Sequence, residues 1–398
     1  MTKISDRLAN LEESATLAMA AKAREFKEKG INVISLSLGE PDFKTPKHIQ
    51  EGAKAAIDEG KYFAYPPVNG YLDLRQAIAD KFKRENGLEY GSNDIVVSNG
   101  AKQSIANVMY SLVNPGDEVI IFSPYWVSYS AIVQLAEGKA VYVKGGIESD
   151  FKVTGSQLKE AITDKTKVVI FSSPCNPTGA VFTQDELEDI AAVLREHEGI
   201  YVISDEIYEH INYTGGHVSF ASLPGMFDRT ITVNGFAKGF AMTGWRVGFI
   251  GAPTWIAKAC NKMQGQITSA NCGISQRAAL TALTSDLGPT KEMAAEYLRR
   301  RDMVFELLKS IEGVKVNLPT GAFYFFPDVS SYFGKSVGDK VINNASDFAM
   351  YILEDAHVSV VTGQAFGDPN CIRLSYAASE EDLREAIDRI KKSLAKLA

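Results

Sequence analysis

The sequence predicts an α/β protein: a large domain whose mostly parallel sheet is flanked by helices, with a smaller α+β domain beside it. Three observations carry that expectation. The chain has 398 residues, which at roughly 100–200 residues per domain allows two or three domains. Its middle alternates short β-branched runs with helical patterns, as parallel sheets with crossover helices require. Its two ends read differently, with charged helical segments and only a few strands.

The elements follow in order. Ser14–Lys29 predicts a helix stopped by Gly30. Ile95–Val97, Val119–Phe122, Val168–Phe171, Tyr201–Ile203 and Thr230–Val233 predict buried strands. Val247–Ile250 is a further strand candidate, interrupted by Gly248. Asp185–His197 puts Leu187, Ile190, Ala191 and Leu194 on one helical face. Gly321–Phe326 and Cys371–Ser375 predict strands of the smaller domain. Ser379-Glu380-Glu381-Asp382 is a capping-box-like start for a last helix, whose apolar face is Leu383, Ile387, Ile390 and Leu394. The large domain is expected over 48–285, and the small one from 1–47 together with 286–398.

Composition narrows the class. Hydrophobic residues make up 45%, as in globular rather than disordered chains. The net charge of −7 argues against a nucleic-acid binder, which wants a basic face. The four cysteines, Cys175, Cys260, Cys272 and Cys371, form no Cys-x-x-Cys pair, so neither a disulfide framework nor a metal site is expected. Free thiols fit a reducing cytosol, and a cytoplasmic protein is expected. The start Met-Thr-Lys-Ile-Ser-Asp-Arg has no apolar signal region. No apolar run is long enough to span a bilayer, so no membrane partner is expected.

Open parallel sheets bind ligands outside the carboxyl ends of their strands. After Val168–Phe171 comes Ser173-Pro174-Cys175-Asn176-Pro177-Thr178-Gly179; after Tyr201–Ile203 comes Ser204-Asp205-Glu206-Ile207-Tyr208; after Thr230–Val233 comes Asn234-Gly235-Phe236-Ala237-Lys238. An amide, a carboxylate, a phenol and an amine therefore converge on one sheet edge. A nucleophilic amine needs a depressed pKa, and Arg246 is a nearby cation. Its planar fork also suits a phosphate. Ser98–Gln103 lies between a strand and a helix running to Leu112, and free amides at that helix start make an anion site. Trp126 follows the next strand and offers an indole to stack on a flat ring.

Asn-Pro-Thr-Gly, Ser-Asp-Glu-Ile-Tyr and the Lys238–Gly248 segment, in this order, resemble the class I aminotransferases of fold type I, which depend on pyridoxal 5'-phosphate (PLP). The likeness spans nearly the whole chain. It includes Leu38-Gly39-Glu40-Pro41-Asp42-Phe43, Tyr65-Pro66-Pro67, Pro115-Gly116-Asp117-Glu118-Val119, Pro124-Tyr125-Trp126, Gly321-Ala322-Phe323-Tyr324 and Ile372-Arg373-Leu374-Ser375-Tyr376. It is nearest to the bacterial aspartate and aspartate/prephenate enzymes. The resemblance implies that Lys238 is catalytic and carries PLP as a Schiff base. It implies that Asp205 pairs with the pyridine nitrogen, that Asn176 and Tyr208 bond the ring's phenolic oxygen, and that Trp126 stacks on the ring. Arg246, the Ala101 and Lys102 amides and Tyr65 of a second subunit would hold the phosphate. Arg373 would clamp the substrate α-carboxylate with Asn176 and the Gly39 backbone, and Lys102 could meet a distal carboxylate. Gly235 and Ala237 stand where many relatives place phosphate-binding hydroxyls, which shifts weight to Arg246 and the helix start.

Plain structural readings stand beside these. Asp205 could be a helix cap, Asn176 a turn residue, Trp126 packing, Tyr65 an interface residue and Lys102 a solvated lysine. The implied function is a homodimeric transaminase moving an amino group, by preference from aspartate, to 2-oxoglutarate. The alternatives are a PLP-dependent β-lyase, or an aminotransferase for prephenate, aromatic amino acids or alanine. A PLP-sensing regulator would need a fused DNA-binding domain, for which the segments beginning by Gly39 leave no room. No Gly-x-Gly-x-x-Gly follows an early strand and no Gly-x-Ser-x-Gly is present, which disfavours nicotinamide and hydrolase chemistry.

Overall fold

A computed structural model describes residues 4–398. The first three residues of the polar N-terminal run, which also open the expected 1–47 segment, lie outside the described residues. Seven strands form the large sheet: β1 (Ile95–Ser98), β2 (Glu118–Ser123), β3 (Lys139–Lys144), β4 (Thr166–Ser172), β5 (Tyr201–Asp205), β6 (Thr230–Gly235) and β7 (Gly248–Gly251). They lie side by side as β1-β7-β6-β5-β4-β2-β3. Neighbours are parallel except around β7, which runs antiparallel to both β1 and β6.

Alternation along each strand feeds two cores. Val119 and Ile121 of β2 join Val168, Ile170 and Ile203 on one face, covered by the helices Ala101–Leu112 and Thr254–Ile267. Ile120 and Phe122 join Val169, Phe171 and Val202 on the other. That face is covered by the helix Gln184–Arg195, through the expected Leu187, Ile190, Ala191 and Leu194. Apolar burial on both faces explains why these strands read as continuous β-branched runs.

Three details differ from the sequence reading. β3 was not foreseen. It is an edge strand, bounded by Lys139 and Lys144, and only Val143 is buried; such half-exposed edges carry a weak strand signal. β7 starts at Gly248, not Val247. The run Gly321–Phe326 is extended only at β8 (Tyr324–Phe325), because Ala322 takes a left-handed backbone, φ 54°, which ends regular pairing.

The smaller sheet orders β9 (Val361–Thr362), β10 (Ile372–Ser375) and β8 as β9-β10-β8, all antiparallel. Its core takes in Leu36, Tyr297, Tyr324 and the buried face Leu383, Ile387, Ile390 and Leu394 of the last helix, Glu380–Leu394. The Ser379 hydroxyl accepts the Asp382 amide at 3.1 Å. It also donates to the Asp382 carboxylate at 2.7 Å, so only half of a capping box forms. Near the N-terminus, the helix Ala15–Glu28 ends before Gly30, φ +80°, and Ile34–Ser35 pairs in parallel with Val358–Ser359. Among the described residues no helix is long and apolar enough to cross a membrane.

Candidate active site

Strand register brings the polar groups level. Ser172 of β4 pairs with Asp205 of β5, and Asp205 with Val233 of β6. A cleft of about 720 Å³ opens at these strand ends. Lys238, Asp205, Asn176, Tyr208, Trp126, Arg246, Arg373, Gly39, Ala101 and Lys102 all line it. Tyr65 does not. It is 96% exposed on the surface of this chain.

Asp205 is buried at the end of β5. Tyr129 donates to its Oδ2 at 2.6 Å and the Ile207 amide to its Oδ1 at 3.3 Å. Both partners are neutral. Burial lifts the carboxyl to about 6, against the pull of those two bonds. The next residue is tied down independently. Glu206 Oε1 accepts from Ser204 at 2.8 Å, Ser219 at 2.9 Å and the Phe220 amide at 3.2 Å, and His217 lies 2.8 Å from Oε2. That anchoring holds the turn so that Asp205 faces the cleft.

Lys238 lies on the segment leaving β6 and donates to the Gly39 carbonyl. Its amine is pushed down to about 8. Burial is the leading cause, followed by the Arg373 charge; Arg246 contributes less, and Glu40 and Asp205 oppose. The sequence reading had named Arg246 as the cation beside this amine. Arg246 is exposed at the cleft mouth, whereas Arg373 is fully buried, which strengthens its field.

Arg373 donates to Asn176 Oδ1 at 2.9 Å and to the Ser37 carbonyl at 2.6 Å. Its guanidinium carbon lies 4.6 Å from the Tyr324 ring centroid and 4.8 Å from that of Phe366. Its Nε has no partner. A buried guanidinium with only neutral acceptors is costly, and its natural complement is an incoming carboxylate.

The helix Ala101–Leu112 begins at Gly100, φ +84°. A Cβ on Gly100 would fall 2.4 Å from the Arg246 guanidinium. One on Gly248 would fall 2.3 Å from the Ala101 amide nitrogen. Both glycines therefore let the helix start, β7 and Arg246 converge. Arg246 donates to the Thr243 carbonyl at 2.9 Å and the Asn99 carbonyl at 3.1 Å. The Gln103 and Ser104 amides bond back to the Gly100 carbonyl, while the Ala101 and Lys102 amides stand ahead of the first helical bond, where an anion can take them. The Lys102 ammonium rests 5.1 Å from the Trp126 ring centroid. Burial, then the Arg246 charge, holds it below its ordinary value.

The sequence reading did not assign Tyr129, Tyr324, Glu40 or the Ser14, Thr16 and Leu17 side chains, all of which line the cleft. Tyr129 had a signal: it stands three residues after Trp126, at the start of the helix Ser128–Leu135. Glu40 and Tyr324 lie in segments that carry the family resemblance but received no role, and Ser14, Thr16 and Leu17 meet the cleft through tertiary packing alone.

Strand-end carboxylate, depressed amine, anion-ready helix start and buried guanidinium define an enzyme of the PLP-dependent fold type I class. Residues 31–390 match the family "Aminotransferase class I and II", and the chain belongs to it. It is 47% identical to the bifunctional aspartate aminotransferase and glutamate/aspartate-prephenate aminotransferase of Petunia hybrida, over 98% of this chain and 82% of that one. It is 44% identical to the aspartate/prephenate aminotransferase of Cereibacter sphaeroides, over 98% of each. The aspartate aminotransferase structure from Rhizobium meliloti superposes with a TM-score of 0.96 at 41% identity, covering 100% of both chains. That of Thermus thermophilus with maleate gives 0.92 at 41%, covering 99% and 100%.

The site fits the cofactor this family uses. Asp205 has no charged partner and suits a protonated pyridine; the two amides and Arg246 suit a phosphate; Lys238 is a depressed amine between them.

Proposed function

We propose that this protein is a PLP-dependent aminotransferase that passes the amino group of an L-amino acid, aspartate by preference, to 2-oxoglutarate in ping-pong half-reactions. One observation carries the reading: a buried Arg373 with only neutral partners shares the cleft with the depressed amine of Lys238. The aspartate and aspartate/prephenate names of the relatives support the substrate class, as does maleate, a dicarboxylate, in the Thermus structure.

PLP, when bound, supplies an electron sink for the negative charge left at the substrate Cα. Lys238 would hold it, and the free Lys238 amine, pushed down to about 8, would carry a proton to and from the substrate Cα. Asp205 keeps a proton on the pyridine nitrogen. Tyr208 donates to the ring's phenolic oxygen. Asn176 does so through its amide nitrogen, since its oxygen already accepts from Arg373. Trp126 stacks on the ring. Arg246 and the Ala101 and Lys102 amides hold the phosphate. Arg373 and Asn176 fix the α-carboxylate beside the Gly39 backbone, and Lys102 meets the distal carboxylate.

The working unit we propose is a homodimer with shared sites, Tyr65 reaching the partner's phosphate. Its 96% exposure, beside Phe63 at 70%, supports a covered surface there. We place the two domains at 48–285 and at 1–47 with 286–398, and the protein in the cytoplasm, where its four free cysteines stay reduced.

Purified protein loaded with PLP should absorb in the near-visible. The band should bleach or shift with aspartate and recover with 2-oxoglutarate, which appears as glutamate. Borohydride should fix the cofactor to Lys238, and Lys238→Ala should lose nearly all turnover. Reduction that fixes nothing at Lys238 would overturn the reading. Release of pyruvate and ammonia from a β-substituted amino acid, without glutamate formation, would make it a lyase.

A further inference from the structure

Tyr324 stands at a junction. It is fully buried on β8 and lines the cleft. Its hydroxyl lies 2.7 Å from that of Tyr208. Its ring lies 4.6 Å from the Arg373 guanidinium carbon. A Cβ on Gly39 would come within 2.2 Å of the Tyr324 oxygen, and the Gly39 carbonyl is the one that takes the Lys238 amine. Tyr324 pairs with Ser375, and Phe325 with Leu374, so the phenol and Arg373 ride on adjoining strands of one sheet.

Two phenols that share one hydrogen bond have one donor between them, and the more acidic one donates. A guanidinium against a phenol ring makes its O–H the better donor. Burial raises both phenols. Arg373 draws both back down and is the leading such influence on Tyr324, whereas on Tyr208 it ranks behind Tyr324, which pushes that phenol further up. With Tyr324 as the donor, the Tyr208 proton is left for another acceptor.

Resting on the cofactor reading above, we infer that Tyr324 is a positioning residue: it donates to Tyr208 and so turns the Tyr208 hydroxyl toward the cofactor's ring oxygen. The arrangement also links the two halves of the site. When a substrate carboxylate neutralises Arg373, Tyr324 becomes a weaker donor and the Tyr208 bond to the ring oxygen weakens with it.

The test is a pH titration of the near-visible band of PLP-loaded protein. Loss of a donor destabilises negative charge on the ring oxygen, so the proton at the Lys238 linkage is held to higher pH. Tyr324→Phe should raise the titration midpoint by roughly half a unit to one unit, the worth of one neutral hydrogen bond. Tyr208→Phe should raise it at least as far, and the double variant no further than Tyr208→Phe alone. Because Phe keeps a ring against Arg373, the KM for aspartate should hold while kcat falls. An unchanged midpoint in Tyr324→Phe, or a full second increment in the double variant, would overturn the role. Wild-type protein showing no band would overturn the cofactor reading, and this inference with it.

Discussion

Two cations line the same cleft and are held in opposite ways. Arg373 is 2% exposed, locked by Asn176, the Ser37 carbonyl and two aromatic rings. Lys102 is exposed as a residue, while its ammonium rests against the Trp126 ring and is partly desolvated there. A rigid fork has already lost its rotamer freedom before ligand arrives, and an unpaired buried charge gains most from a partner. A lysine on a flexible stem gains less and tolerates variety. The contrast matches the ligands proposed for each. Every amino acid brings an α-carboxylate, while only some bring a second one.

Arg373 is where the largest effect is expected. Arg373→Lys keeps the charge but loses the fork, so Asn176 Oδ1 and the Ser37 carbonyl can no longer both accept from one planar donor group. Steady-state kinetics should show kcat/KM falling by roughly a hundred- to a thousandfold. The loss should be similar for aspartate and for donors with a single carboxylate. A loss confined to aspartate would reverse the roles of the two cations.

The pH dependence separates the two cations by a different route. Only an unprotonated Lys238 attacks PLP, and its amine lies near 8 because of burial and then Arg373. Stopped-flow capture of PLP by cofactor-free protein should therefore speed up about tenfold per pH unit below the midpoint and level off above about 8. Arg373→Gln removes a positive neighbour, so the midpoint should rise. Lys102→Gln should leave it in place. Equal shifts in both variants would show that the cations act on Lys238 alike.

What was legible in the sequence is what the chain carries locally. Lys238, Asp205 and Asn176 stand just past strands whose apolar runs announce themselves, so their convergence follows from topology. Long-range relations were less visible. Arg246 lies near Lys238 in the chain and is the cation that proximity suggests, yet Arg373, from the far end of the sequence, is buried with it and acts more strongly. Tyr324 lies in Gly321-Ala322-Phe323-Tyr324, which carries the family resemblance, yet no role follows from it there, because nothing local places its hydroxyl beside that of Tyr208. Tyr129 reaches Asp205 only once the helix Ser128–Leu135 packs on the sheet. The edge strand β3 was missed because exposure dilutes its pattern.

The smallest effect belongs to Lys102, and it is the most informative about substrate. If its ammonium meets a distal carboxylate, Lys102→Gln should raise the KM for aspartate by about tenfold or less, the worth of one solvent-accessible charged contact. Alanine, with no distal carboxylate, should be turned over as before. The phosphate end need not suffer, because the Lys102 amide survives the substitution and only the side chain changes. A variant weakened equally toward both donors would place the ammonium at the cofactor instead, consistent with its rest against Trp126 and its coupling to Arg246. The aspartate-to-alanine ratio therefore decides whether the exposed cation reads the substrate or supports the ring.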